Sequence, residues 1–159
     1  MTENENAAYI AVRAAVAELG IAPDSYGPTL NTAVSPSAVR VVAAALAARL
    51  SGAGVDRVVV WNSSDEAVLA HAVAAELGVG VSRIDAVEGA VAVNPPLADG
   101  SRAALLATSW QTRGLATARS IVARQGGIAA VAAVSHSPAL DGDLGVPVVH
   151  LLPGARDER

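Results

Sequence analysis

The sequence predicts an α/β domain, a mostly parallel sheet flanked by helices in three layers. Three observations lead there. Short runs of Val, Leu, Ile and Ala, each of strand length, recur along the chain. Longer stretches with apolar residues at helical spacing alternate with them. One region, 103–135, reads as a complete strand–loop–helix–strand unit. Its first apolar run, 103–107, ends in Thr108 and Ser109; a segment at 111–114 opens a helical pattern, and Gly126 and Gly127 close it before a second apolar run at 128–134.

Composition narrows the chemistry. At 159 residues the chain fits one domain. Hydrophobic residues make up 52% but aromatics only 3%, with no Phe, so the core is built from Ala, Val, Leu and Ile. The absence of Cys excludes disulfides, thiolate nucleophiles and Cys-based metal sites. All 11 basic residues are Arg, which removes Schiff-base chemistry and a phosphate-binding lysine. A net charge of −4 with dispersed acids gives no nucleic-acid surface. No apolar run approaches the ~20 residues of a membrane span, and the polar start is no signal peptide, so a cytoplasmic protein is expected.

Taken in order, residues 1–6 read as a disordered N-terminus, 7–153 as the single domain and 154–159 as a charged tail. Tyr9, Val12, Val16 and Leu19 line one helix face that Gly20 ends. Residues 21–36 hold three prolines and read as a loop or extended segment, long enough to pack on the domain or to serve an interface. Ser35 and Pro36 start a second helix, with Val39, Val42, Leu46 and Leu50 on its inner face. A Val-rich strand at 56–61 follows. Ser63 and Glu66 are spaced as a capping box for a third helix carrying Leu69, Val73 and Leu77, with Gly78 as its stop. Residues 79–84 read as a strand, 85–101 as loop with a short strand at 90–93, and 148–152 as the last strand.

At the region 103–135 the chain resembles a type I phosphoribosyltransferase, a likeness that runs from about Val55 to Leu152. VVVWNSSDEAVLAHAVAAELGV resembles that family's first strand, its pyrophosphate-contacting loop and the helix after it. LLATSWQTRGLATA resembles its signature strand and phosphate loop. The resemblance implies that two adjacent acids should hold the ribose hydroxyls of phosphoribosyl pyrophosphate (PRPP), and that a Thr/Gly-rich loop should hold the 5′-phosphate. Here Thr108 and Ser109 stand in place of the acids, and Thr112, Arg113 and Gly114 in place of Thr-Thr-Gly; Leu115 and Ala116 replace small and hydroxyl residues. Region 103–135 is also similar to the C-terminal domain of transketolase-like enzymes, an alternative that the region upstream fits less well.

These departures set the functional expectation: a catalytically degenerate member, acting as a binding, regulatory or structural subunit. No catalytic residue and no metal ligand is assigned, and Mg²⁺ is not expected, because hydroxyls cannot replace carboxylates for a hard cation. A divergent active transferase, joining a nucleobase to PRPP, is the alternative; if active, the chain is a glycosyltransferase. The phosphate loop is assigned to Thr108, Ser109, Gln111, Thr112, Arg113, Gly114 and Leu115, where a helix start and a guanidinium favour a nucleoside monophosphate or sugar phosphate. The loop Asn62, Ser63, Ser64 and Asp65 is read as a degenerate pyrophosphate loop, since Asp65 and Glu66 would repel an anion. Trp110, Ser135 and His136 are candidate base contacts, with cleft filling the first expectation for Trp61 and Trp110. A homodimer or a complex with a partner protein subunit is expected, because the family resembled usually self-associates and because Tyr26, Leu30 and Val34 need a surface to cover.

Overall fold

The computed structural model describes residues 1–154. Four helices and eight strands follow one another as α1 (Glu3–Leu19), β1 (Ile21–Asp24), β2 (Gly27–Leu30), α2 (Pro36–Leu50), β3 (Arg57–Trp61), α3 (Ser64–Leu77), β4 (Gly80–Val87), β5 (Ala90–Asn94), β6 (Arg102–Ala107), α4 (Thr112–Ala123), β7 (Gly127–Ser135) and β8 (Val148–Leu152). Short 3₁₀ turns cover Thr32–Val34 and Pro138–Leu140. The main sheet has the order β5-β4-β3-β6-β7-β8, parallel throughout except for the β4–β5 pair.

Period-two alternation splits the strand side chains between two cores. Val58, Val60, Ala104, Leu106, Ala130, Ala132 and Val134 point to the face covered by α1, α2 and α3. Val59, Trp61, Ala103, Leu105, Val131 and Ala133 point to the face covered by α4, through Leu115, Ala118, Ile121 and Val122. The three layers expected from the sequence are therefore present. Both faces of the central strands are buried, which is why these strands read as continuous apolar runs.

Three expectations need correction or refinement. Residues 3–6 are helical, not disordered: Thr2 accepts from Glu5 N and the Glu5 carboxylate returns to Thr2 N, a capping box that carries α1 back to Glu3. Of the two readings of 21–36, loop or extended segment, the extended one holds for a two-stranded antiparallel hairpin, β1–β2, which the sequence did not reveal as paired, followed by a 3₁₀ turn. Pro23 and Pro28 face each other in it, a pairing tolerated because the hairpin stands apart from the main sheet. The strand at 79–84 extends to Val87 and turns through Glu88 (φ 50°) and Gly89 (φ 80°), the paired left-handed residues of a two-residue hairpin turn, into β5. Beyond Gly154 the charged tail lies outside the described residues. Among the described residues, no helix is long and apolar enough to cross a membrane.

Candidate functional site

The carboxyl ends of β3, β6 and β7 form one rim of the sheet, where ligands bind in open α/β folds. Two helices begin there, α3 after β3 and α4 after β6. The hairpin β1–β2 lies across both.

At the start of α3 the expected capping box does not form. Ser63 is the N-cap with extended backbone, yet its side chain caps nothing, and its Oγ is buried without a partner among the described residues. Glu66 turns inward instead. Thr108 N donates to both of its carboxyl oxygens, at 3.1 and 3.0 Å, and the Thr108 hydroxyl donates to Oε1. Thr108 is fully buried at the end of β6, and a buried N–H there requires an acceptor. Burial pushes the Glu66 carboxyl up to about 7; the bonds from Thr108 pull the other way, and the charges of Asp24 and Asp65 add to the rise. Asp65 is committed as well: it accepts from Thr32 N at 3.0 Å and from Thr32 Oγ1 at 2.5 Å. Leu30 N completes the set by donating to Thr108 Oγ1 at 3.3 Å. Two neighbouring acids in the first turn of α3 thus bind the hairpin and the end of β6 together.

The start of α4 is organised differently. Gln111 is the N-cap without a side-chain cap bond, and the first turn holds no acid. The first helical N–H groups, of Thr112, Arg113 and Gly114, have no partner within the helix, and Thr112 and Arg113 are exposed. The Gly114 carbonyl accepts from Trp61 Nε1 at 3.2 Å. The Trp61 ring is in turn stacked on Tyr26 of the hairpin, 4.8 Å between centroids. Gly27, at φ 118°, lets the hairpin approach Gln111; a Cβ there would stand 3.0 Å from Gln111 Cγ.

Several assigned residues are corrected by burial. Thr108 is sealed, with its polar groups taken by Glu66, Leu30 and, through its carbonyl, Ser135 N. Leu115 is a core residue of α4. Trp110 is 2% exposed and donates Nε1 to the Ala132 carbonyl at 2.9 Å, so it fills space, as first expected of it, and the alternative of a base contact is the part corrected. His136 is partly exposed but engaged: Nε2 meets Asp141 Oδ1 at 2.9 Å and its ring packs edge-on against His150 at 5.2 Å. Ser109, Gln111, Thr112, Arg113 and Gly114 remain at the accessible rim, as do Asn62, Ser63 and Ser64 in part. Asn62 is held by Asp85 at 2.8 Å. Leu30 and Tyr26 cover this chain's own rim, which removes them as a reason to expect an interface. Sequence reasoning missed the role of Glu66, because its partner lies 42 residues away and its local spacing fits a cap equally well.

No family model and no curated protein matches this sequence. Solved structures do. The adenine phosphoribosyltransferase of Rhodothermus marinus aligns with a TM-score of 0.66 at 19% identity over 91% of this chain and 98% of its own. That of Trypanosoma brucei, solved with AMP, pyrophosphate and ribose-5-phosphate, aligns at 0.66 with 16% identity over 92% of this chain and 82% of its own. The UMP synthase of Leishmania donovani aligns at 0.65 with 14% identity over 91% of this chain and 35% of its own. The fold is the type I phosphoribosyltransferase fold, and the transketolase-like alternative falls away as a description of it.

Proposed function

We propose that this chain is a phosphoribosyltransferase-fold protein without transferase activity, which binds a nucleoside monophosphate or sugar phosphate at the start of α4 and acts as a regulatory or structural subunit. One observation carries the reading. Thr108, at the place where the resemblance puts the first ribose-binding acid, is buried and spends its N–H and hydroxyl on Glu66. Phosphoribosyl transfer depends on positioning and charge stabilisation, and this rim presents no open carboxylate from β6 to do either. The donor set does not fit Mg²⁺: Thr108 and Ser109 are neutral, and the one carboxyl at that spot is enclosed.

What the rim offers is the start of α4. Its first N–H groups are unpaired within the helix and its dipole favours an anion, with no carboxylate in the turn and Arg113 exposed within it. The phosphate sits there, and the Tyr26–Trp61 stack bounds the space beside it. Exposed apolar side chains on the helical layer, among them Ile10, Val41 and Val68, support self-association or a partner subunit. On this reading the protein works in the cytoplasm.

The second reading, an active transferase, rests on Glu66, which does bring a carboxyl to the end of β6 from another element. Pyrophosphate release from PRPP separates the two. With adenine, guanine, hypoxanthine, uracil or orotate and Mg²⁺, no release above a heat-killed control is expected. Turnover with any of them overturns the proposal in favour of the transferase.

A further inference from the structure

We infer that the cavity between the hairpin tip and the start of α3 binds a neutral purine of the guanine type, as a site of its own apart from the start of α4. The cavity measures about 510 Å³, within the range of small-molecule sites. The hairpin supplies Asp24, Ser25 and Tyr26 to its lining. The loop after β3 supplies Asn62 and Ser63, and β4 supplies Arg83.

Three of these groups are uncommitted. Ser63 Oγ is buried without a partner among the described residues, and a buried hydroxyl calls for one. The Asp24 carboxylate accepts from Ser25 N at 2.6 Å and from no other group among the described residues. Among those residues the one ion pair joins His136 and Asp141, so Asp24 and Arg83 share a cavity without pairing.

Charge and shape select the ligand. Asp24, with Asp65 and Glu66 in the first turn of α3, disfavours an anion. Arg83 and the positive end of the α3 dipole disfavour a cation. A neutral ligand uses both charges, with N–H groups toward Asp24 and a carbonyl toward Arg83. Tyr26 adds a flat surface. It is stacked on Trp61, yet Trp61 does not line the cavity, so Tyr26 meets the cavity from the side away from Trp61. A planar ring there extends the stack. Guanine carries neighbouring N–H groups that one carboxylate can accept together, and a carbonyl and ring nitrogen that match a guanidinium fork. Adenine has no carbonyl. Uracil flanks its N–H with two carbonyls, which would face Asp24.

The test is titration calorimetry with guanosine, adenosine and uridine on the native chain, Asp24→Asn and Arg83→Gln. Guanosine carries no phosphate, so the result is independent of the site at α4. It is expected to bind, with adenosine and uridine weaker by about tenfold or more. Each substitution removes a charged hydrogen-bonding group and should weaken guanosine by about tenfold. Both positions lie outside the two cores, and unchanged urea midpoints should show that the fold is kept. No binding of guanosine, equal binding of the three nucleosides, or binding indifferent to both substitutions overturns the inference. So does competition by inorganic phosphate, which would place guanosine at α4. Tighter binding of free glutamine overturns it too, since the two charges would then serve a zwitterion.

Discussion

The loop after β3 and the loop after β6 share one frame: a buried parallel strand, a few polar residues, and a helix starting at the same rim of the sheet. They are built in opposite ways. After β3, Asp65 and Glu66 spend their oxygens on Thr32 and Thr108, and the loop holds the hairpin and β6 together. After β6, the first turn of α4 has no cap bond and no acid, with Arg113 exposed. A carboxylate in a first helical turn is favoured by the dipole whether or not it serves a ligand. What separates the two is that the first carries acids already bound within the chain and the second carries none.

Placing an acid at the end of β6 should break this division most severely. Thr108→Asp would bury a second carboxylate against Glu66 and remove the hydroxyl that donates to it, at an expected cost of about 3–5 kcal/mol in chemical denaturation. It should not produce transferase activity.

Next in size is the pH dependence of Glu66. Its pKa is raised to about 7 in the fold, above the ordinary value of 4.5, so its contribution to stability is full below about 4.5 and is lost as pH rises through 7. Between pH 5 and 8 this should remove about 2–3 kcal/mol. Urea midpoints should fall over that window in the native chain and stay flat in Glu66→Gln.

Loosening the hairpin alone should cost less. Asp65→Ala strands the Thr32 N–H and hydroxyl, worth about 1–3 kcal/mol. The opening should show as faster amide exchange at Leu30 and Thr32, with the sheet unaffected.

Much of this was legible in the sequence. The strand and helix periods give the three layers, because Val58 and Val60 must face one way and Val59 and Trp61 the other. Ser35 and Pro36 start α2 as their chemistry dictates, with Ser35 Oγ accepting from Ala38 N at 3.2 Å. The hairpin was not legible, since prolines in 21–36 signal irregular chain and its partners, Thr108, Asp65 and Trp61, are remote in sequence. Filling was the first expectation for Trp110, but its place after a strand did not tell which space it fills. Only the tertiary fold turns its indole inward to the Ala132 carbonyl. Glu66 misled for the same reason, since a capping box and a long-range clamp use one residue type at one spacing.

The most direct measurement is titration calorimetry with ribose 5-phosphate, a nucleoside monophosphate and PRPP, on the native chain and on Arg113→Ala. Arg113 is exposed and its removal should change stability by no more than about 0.5 kcal/mol. On the proposed reading the monophosphates should bind more tightly than PRPP, because Asp65 and Glu66 disfavour a second anion at the start of α3. Arg113→Ala should weaken them by about 1.5–3 kcal/mol, the worth of a charged hydrogen bond to phosphate. Tighter binding of PRPP, or binding indifferent to Arg113→Ala, would contradict the assignment of the phosphate to this loop.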